Sequence, residues 1–127
     1  GSDSHANAIR IAQSNAMQAG MEEQIQWQIA PMEECPLPEA PGLVVLNPPY
    51  NERMPVDEIE SLYQLIGSTL KHRFSGFQAW VLSANEKAIH AIGLRPSRKI
   101  GLYNGALPCK FLKFELYAGS KKGKKMD

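Results

Sequence analysis

The segment Asn47-Pro48-Pro49-Tyr50 combines residue types that can handle an exocyclic amine on a nucleic acid base. Such an amine is a poor nucleophile because its lone pair is delocalised into the ring. The side-chain carbonyl of Asn47 and the backbone carbonyl of Pro48 could each accept one N–H and turn the lone pair towards a methyl donor. The prolines have a locked φ and hold these acceptors still. Tyr50 offers a flat face on which an extruded base can stack.

The position of this motif supports the same interpretation. Leu43 to Leu46 is a short, apolar, β-branched run that predicts a buried central strand of a parallel sheet, and it stops at Asn47. Open α/β sheets bind ligands beyond the carboxyl ends of their strands, which is where the motif would lie. The alternative is that Asn-Pro-Pro-Tyr is an ordinary loop after a strand.

The residues before the motif predict a helix, a strand and a loop. The helix lies between a cap at Ser4 and a stop at Gly20. Its apolar positions recur at helical spacing: Ile9, Ala12 and Ala16. Residues 24–30 alternate between apolar and polar, as in a half-buried strand. The proline-rich residues 31–42 predict a loop.

The residues after the motif continue the alternation of helices and strands. Asp57 and Glu60 have the spacing of a capping box, which predicts a helix start. The apolar stripe of this helix consists of Ile59, Leu62, Tyr63, Ile66 and Leu70. Ala79 to Leu82 predicts another buried strand. Asn85 then caps a short helix that ends at Gly93.

The C-terminal part predicts a β-hairpin. Lys99 to Tyr103 and Leu107 to Tyr117 predict two strands around Asn104-Gly105, a turn pair in which both residues tolerate a positive φ. One end of the sheet is therefore expected to be antiparallel. Alternating helices and strands that close in a hairpin predict an open α/β sheet.

Composition narrows the class of protein. The 127 residues, 43% hydrophobic and 21% charged with a net charge of +1, are typical of one globular domain. No apolar run is long enough to cross a bilayer, and no signal peptide is visible, so we expect a cytoplasmic protein without a membrane partner. Cys35 and Cys109 lack metal-ligand spacing, and we expect no metal site. Residues 119–127 form a basic tail that we expect to be disordered.

Five segments resemble the bacterial ribosomal RNA guanine methyltransferases that carry a THUMP RNA-binding domain before a Rossmann-like methyltransferase domain. The segment around the motif and the Asn-Gly hairpin are the specific ones. The segments are Gly1–Asp3 with the helix ending Ser14–Ala16, Leu46–Arg53, Trp80–Asn85, Gly93–Arg98 and Leu102–Cys109. The resemblance covers nearly the whole chain.

The resemblance implies a Rossmann-like fold dependent on S-adenosylmethionine, with Asn47, Pro48, Pro49 and Tyr50 as the catalytic segment. Asp3 matches the acidic residue that binds the ribose hydroxyls of the cofactor. The family's second acidic residue, near the adenine, is matched here by Pro31 and Met32, which is a departure from the pattern. The resemblance thus implies Asp3, Met32 and Asn47 as cofactor contacts.

A second departure is that the first strand and the glycine-rich loop of the family have no counterpart in the sequence. Residues 1–118 are therefore expected to be a partial methyltransferase domain, truncated at its N-terminus. We expect weak or no activity from this chain alone, and a homodimer formed through exposed strand edges is plausible.

The expected substrate is a guanine in large-subunit ribosomal RNA. Four basic residues near the expected site could hold phosphates: Arg53, Arg95, Arg98 and Lys99. Solvated surface charge is the alternative for all four. Two other functions stay open, namely methylation of an adenine amine in DNA or RNA, and a non-catalytic RNA-binding or assembly module.

Overall fold

The computed structural model describes residues 1–50 and 54–117, and the chain divides into two compact units, Gly1–Leu37 and Pro38–Asp127. In the first unit, strands β1 (Ser2–Asp3) and β2 (Gln28–Ile29) pair in parallel. Helix α1 (Ala6–Gln18) and a 3₁₀ turn (Glu22–Gln24) connect them. The unit thus has the strand, helix, strand order expected of an α/β protein.

Helix α1 begins one residue later than the sequence predicted. Its N-cap is His5 rather than Ser4, and the His5 backbone N–H donates to Oδ1 of Asp3 at 2.8 Å. The predicted stop at Gly20 is confirmed. Gly20 has a φ of 73°, and Met21 N–H donates to the Ala16 carbonyl at 2.9 Å. These are the features of a Schellman end, which satisfies the last helical carbonyls.

The strand predicted over residues 24–30 was wrong in length. β2 contains only Gln28 and Ile29, because β1 supplies ladder partners for these two residues alone. Glu22–Gln24 forms the 3₁₀ turn instead. The alternation of side chains therefore did not ensure a strand, since a strand also needs a neighbour whose length matches its own.

The second unit contains a four-stranded sheet in the order β3-β4-β6-β5. Its elements are β3 (Gly42–Leu46), α2 (Val56–Arg73), β4 (Phe77–Ser83), α3 (Glu86–Ala91), β5 (Arg98–Asn104) and β6 (Leu107–Glu115). β3 and β4 are parallel, whereas β6 is antiparallel to both β4 and β5. The predicted mixed sheet with an antiparallel end is confirmed.

The core of this unit lies on one face of the sheet. The register pairs Val81 with Leu112 and Ala79 with Phe114, and all four side chains are at most 1% exposed. The predicted stripe of α2 is largely confirmed, because four of its five members are buried: Ile59, Tyr63, Ile66 and Leu70. Burial of these side chains is the main force that holds the helix in place.

The prediction that residues 43–46 form a central strand was wrong for the part of the sheet that the structure describes. β3 is at the edge of the four-stranded sheet, and the side chains of Leu43 and Val45 are 61% and 60% exposed. An apolar run identifies a strand but does not show how many neighbours cover it.

The capping box predicted at Asp57 and Glu60 was also wrong. Pro55 is the N-cap of α2, and its carbonyl accepts the Ile59 N–H at 3.1 Å. The helix therefore starts one residue before Asp57, with Val56 as its first residue. Asp57 lies within the first turn, where a negative charge interacts favourably with the helix dipole.

The predicted cap of α3 is confirmed. The Asn85 side-chain oxygen accepts the Ala88 backbone N–H at 3.0 Å. Replacing Asn85 by alanine is expected to lower the free energy of unfolding by about 1 kcal/mol, because the N–H loses its partner. Urea denaturation measures the change. Alanine at the exposed Lys87 of the same helix is the control, with an expected change within about 0.5 kcal/mol. Equal effects would contradict the cap.

Candidate active site

The segment Asn47–Tyr50 follows β3 directly, at the carboxyl end of the parallel pair β3 and β4. Pro48 is buried and Tyr50 is half-buried, whereas Asn47 is exposed. We call these four residues the NPPY loop. Within residues 1–50 and 54–117, no hydrogen bond engages the Asn47 side chain. The loop is thus anchored by its prolines and its aromatic ring, while the amide stays available for a ligand.

On one side the NPPY loop is held by α2. The Tyr63 hydroxyl donates to the Pro49 carbonyl at 2.9 Å and lies 2.8 Å from Oγ of Ser83, the last residue of β4. Tyr63 and Ser83 are both fully buried. A buried hydroxyl needs its partners because an unsatisfied one costs free energy, so this contact fixes the Pro49 carbonyl firmly.

On the other side the NPPY loop is held by the hairpin. Nδ2 of Asn104 donates to the Tyr50 hydroxyl at 2.8 Å, and Sγ of Cys109 lies 4.0 Å from the same oxygen. Asn104 ends β5, and Cys109 lies near the start of β6. Two elements that are distant in sequence therefore set the position of the Tyr50 ring.

The hairpin itself is confirmed, but its turn lies one residue later than predicted. Asn104 pairs with Leu107, so Gly105 and Ala106 form the two-residue loop. Gly105 alone takes a positive φ, 64°, as in Gly-X loops, while Asn104 keeps strand geometry. This register leaves the Asn104 side chain free to reach Tyr50.

The two proline carbonyls of the NPPY loop differ in their hydrogen bonds. Tyr63 occupies the Pro49 carbonyl. No hydrogen bond to the Pro48 carbonyl occurs among the residues that the structure describes. Together with Oδ1 of Asn47 it forms a pair of acceptors one residue apart, which suits an –NH₂ group with its two donors.

Burial raises the pKa of the Tyr63 hydroxyl above its ordinary value of 10.0; the bond to Ser83 opposes the shift, and Tyr50 adds to it. The group is therefore protonated at neutral pH. It donates to Pro49 under all ordinary assay conditions.

This shift gives a prediction for alkaline unfolding. A group with a raised folded pKa stabilises the fold below its unfolded pKa and loses that effect as pH rises through the folded value. The free energy of unfolding should therefore fall above about pH 10. Urea titrations between pH 8 and 11 measure this, with Tyr63→Phe as the reference. An equally steep fall in the variant would show that Tyr63 is not responsible.

The expected cofactor residues Asp3 and Met32 lie in the first unit. Asp3 ends β1, and Met32 follows the end of β2 by three residues, so both lie beyond the carboxyl ends of paired parallel strands. Oδ1 of Asp3 accepts the His5 N–H and lies 3.4 Å from Nδ1 of His5. Met32 is half-buried, and its carbonyl accepts from Sγ of Cys35 at 3.5 Å.

Three of the four expected RNA-binding residues lie within the described part of the chain. Arg95, Arg98 and Lys99 are exposed. Arg98 starts β5 and Asn104 ends it, so at about 3.4 Å per residue they lie roughly 20 Å apart. Arg53 lies outside the described residues, as does the basic tail from 119 to 127. RNA contact by the four basic residues stays a prediction.

Sequence reasoning identified the NPPY loop but missed its anchors. Tyr63 was assigned to the apolar stripe, Asn104 was explained by its turn, and Ser83 was given no role of its own. A buried tyrosine in an apolar stripe is itself a signal, since its hydroxyl requires a partner.

No group of three or more His, Cys, Asp or Glu side chains in residues 1–50 and 54–117 is placed to hold a metal ion. In the same part of the chain, no helix is both long and apolar enough to span a bilayer.

Comparison with known proteins identifies relatives of nearly the whole chain. A Synechocystis protein provisionally named an RNA methyltransferase is 42% identical over 118 residues, which are 92% of this chain and 31% of that protein. A protein of Syntrophotalea carbinolica named ribosomal RNA large subunit methyltransferase K/L is 40% identical over 121 residues, 91% of this chain and 17% of the relative. The chain thus spans less than a third of each relative.

Solved structures agree on the fold. A provisionally named methyltransferase complexed with S-adenosylhomocysteine matches with a TM-score of 0.84 and 23% identity, over 94% of this chain and 32% of that one. A Listeria monocytogenes protein named an N6-adenine-specific DNA methylase matches with a TM-score of 0.76 and 27% identity, over 91% and 30%. The chain has the Rossmann-like fold of S-adenosylmethionine-dependent methyltransferases.

The sequence model of a protein family, the RMKL-like methyltransferase domain, matches residues 1–113 of the chain. S-adenosylhomocysteine, present in one of the matching structures, is the cofactor S-adenosylmethionine without its methyl group. Because this family model and relatives that are 42% and 40% identical match nearly the whole chain, the chain belongs to the RMKL-like methyltransferase domain family, which uses S-adenosylmethionine.

Proposed function

We propose that the chain is the amine-holding part of a larger RNA methyltransferase that modifies N2 of a guanine in large-subunit ribosomal RNA. The observation that carries this proposal is the NPPY loop. Asn47 is exposed, and neither its side chain nor the Pro48 carbonyl has a hydrogen bond within residues 1–50 and 54–117, whereas the Pro49 carbonyl already accepts from Tyr63. The name ribosomal RNA large subunit methyltransferase K/L, borne by relatives at 34% to 40% identity, supports the choice of RNA.

In the proposed reaction the extruded guanine stacks on Tyr50 and donates its two amine hydrogens to Asn47 and Pro48. These bonds localise the lone pair on nitrogen and aim it away from the acceptors. S-adenosylmethionine supplies an activated methyl group. With the cofactor bound, the nitrogen would form a bond to its methyl carbon while the carbon–sulfur bond breaks with its electrons on sulfur, which leaves S-adenosylhomocysteine, and the methylated nitrogen would release one proton to solvent water. Asn47 and Pro48 stabilise the positive charge that develops on the amine.

Two residues of the first unit have side chains that are suited to contact S-adenosylmethionine. The carboxylate of Asp3, exposed at the end of β1, is an acceptor suited to ribose hydroxyls. Met32 is half-buried beyond β2 and offers an apolar surface for an adenine ring.

Calorimetric titration with S-adenosylhomocysteine tests the proposal. We expect weak or no binding to the 127-residue chain and clear binding to a version extended upstream, because the chain spans 31% of one relative and 17% of another. Binding by neither version would contradict the methyltransferase proposal. RNA binding without cofactor binding would instead support a non-catalytic RNA-binding or assembly module.

The target base needs a separate measurement. The matching Listeria protein named an N6-adenine-specific DNA methylase is the finding that favours an adenine amine. Mass spectrometry of nucleosides from treated ribosomal RNA and DNA distinguishes the two products. N2-methylguanosine from RNA would support our proposal, whereas N6-methyladenine would support the alternative.

We also propose that the protein is located in the cytoplasm and forms a homodimer. β3 is an edge of the described four-stranded sheet, and its Leu43 and Val45 side chains are 61% and 60% exposed. An exposed apolar edge is a surface on which a second copy can pair. Sedimentation equilibrium measures the mass, and a monomer at all concentrations would contradict the dimer.

A further inference from the structure

A chain of hydrogen bonds joins the start of α3 to the NPPY loop. The Asn85 backbone N–H lies 3.1 Å from Ser83 Oγ, Ser83 Oγ lies 2.8 Å from the Tyr63 hydroxyl, and that hydroxyl lies 2.9 Å from the Pro49 carbonyl. All the side chains involved belong to residues that are fully buried. The middle of this chain of hydrogen bonds therefore lies in the folded core, whereas its ends lie at the exposed Pro49 and the half-buried Asn85.

The two ends of this chain fix the direction of every bond in it. The Pro49 carbonyl can only accept, so Tyr63 donates its single proton there and can only accept from Ser83. Ser83 consequently donates to Tyr63 and accepts from the Asn85 N–H. Bonds that run in one direction polarise one another, which strengthens the last bond, the one to Pro49.

We propose that Tyr63 is a positioning residue for methyl transfer, because it holds the Pro49 carbonyl and so keeps the neighbouring Pro48 carbonyl in place for the target amine. This inference rests on the proposed function. Pro48 and Pro49 both have a locked φ, so fixing the carbonyl at one leaves the peptide at the other little freedom. Tyr63 contacts neither the base nor the cofactor in this proposal.

The test compares Tyr63→Phe with the wild type in the extended protein that methylates RNA. Removing the hydroxyl should lower kcat on the order of 10-fold to 10²-fold, since small displacements of reacting groups have effects of this size. KM for RNA and the affinity for S-adenosylhomocysteine should change less than about 3-fold, a free-energy change under roughly 0.7 kcal/mol. Rates are divided by the concentration of sites that bind S-adenosylhomocysteine, so misfolded protein does not lower the measured kcat.

Tyr103→Phe is the matched control. It removes the same hydroxyl from a side chain that is 75% exposed on β5. Its kcat should equal that of the wild type. An unchanged kcat in Tyr63→Phe as well would overturn the inference.

Ser83→Ala provides a second test, which removes the hydrogen bond behind Tyr63 and keeps the Tyr63 hydroxyl. It leaves Tyr63 able to donate to Pro49 but removes the support behind it, so kcat should fall less than in Tyr63→Phe. Because Ser83 reaches the Pro49 carbonyl only through Tyr63, the kcat of the double variant should be no lower than that of Tyr63→Phe alone. A double variant whose loss equals the product of the two single losses would contradict the hydrogen-bond chain.

Failure of this inference differs from failure of the proposed function. If Asn47→Ala is inactive while Tyr63→Phe has the wild-type kcat, the function stands and the positioning role falls. If Asn47→Ala is fully active, the proposed chemistry of the NPPY loop falls, and the positioning role falls with it.

Discussion

Alanine at Asn47 should reduce kcat for RNA methylation on the order of 10²-fold to 10³-fold, the loss expected when one pre-organised polar group at a reacting centre is removed. The target amine would keep one acceptor, the Pro48 carbonyl, and its lone pair would return into the ring. Single-turnover transfer of a radiolabelled methyl group to ribosomal RNA in the extended protein measures the effect. Because Asn47 is exposed and unbonded within residues 1–50 and 54–117, the free energy of unfolding should change by less than about 0.5 kcal/mol.

Asn47→Asp is the matched variant for this experiment. It keeps an acceptor oxygen at the same place and has nearly the same shape, so its kcat should lie clearly above that of Asn47→Ala. If the aspartate and alanine variants were equally slow, the role of Asn47 as a hydrogen-bond acceptor would be wrong. A wild-type rate in Asn47→Ala would remove the residue from the mechanism.

Alanine at Gly67 should destabilise the fold by about 3 kcal/mol, at the upper end of the usual cost of overpacking. A Cβ at this position of α2 would overlap the carbonyl oxygen of Ile92 and lie 2.7 Å from its carbonyl carbon. The obstacle is backbone, so rotation of a side chain cannot relieve it. The effect exceeds the helix propensity of alanine, which favours the substitution by about 0.8–1.0 kcal/mol.

Urea denaturation of Gly67→Ala against Gly101→Ala isolates the packing effect. Gly101 lies on β5, and a Cβ there would meet nothing within 4 Å. Its substitution should change the free energy of unfolding by no more than about 0.5 kcal/mol. If Gly67→Ala were as stable as Gly101→Ala, α2 and α3 would not pack as closely as the structure has them.

Local patterns in the sequence predicted most of the second unit. The Asn85 cap and the hairpin depend on interactions between residues close in sequence, and the spacing of the α2 stripe shows which face of that helix is buried. The wrong predictions concern which strands lie next to each other in a sheet. β3 is apolar yet lies at the edge of the described sheet, and β2 is short because its partner is short. Nothing in a strand's own residues specifies its partner.

The candidate site was likewise predicted from the sequence only in part. The NPPY loop could be predicted, because its residue types suit one chemistry and follow a strand. Its anchors could not be predicted, since Tyr63 and Asn104 lie 14 and 54 residues away from the groups that they hold. Contacts over such separations depend on sheet order and register, including the one-residue shift that placed Asn104 in the strand instead of the turn.

The bond from Asn104 to Tyr50 has a consequence for the thermodynamics of substrate capture. An aromatic side chain that is free to rotate loses rotational entropy when a base stacks on it, a loss of about 0.5–1.5 kcal/mol per side chain immobilised on binding. In this protein the hairpin already restricts the Tyr50 ring, so the loss of rotational entropy occurs when the chain folds and not when RNA binds. Under the proposed function, a base that stacks on Tyr50 would meet a ring already held in position, and a variant without the Asn104 side chain would bind the same base with a larger entropic penalty.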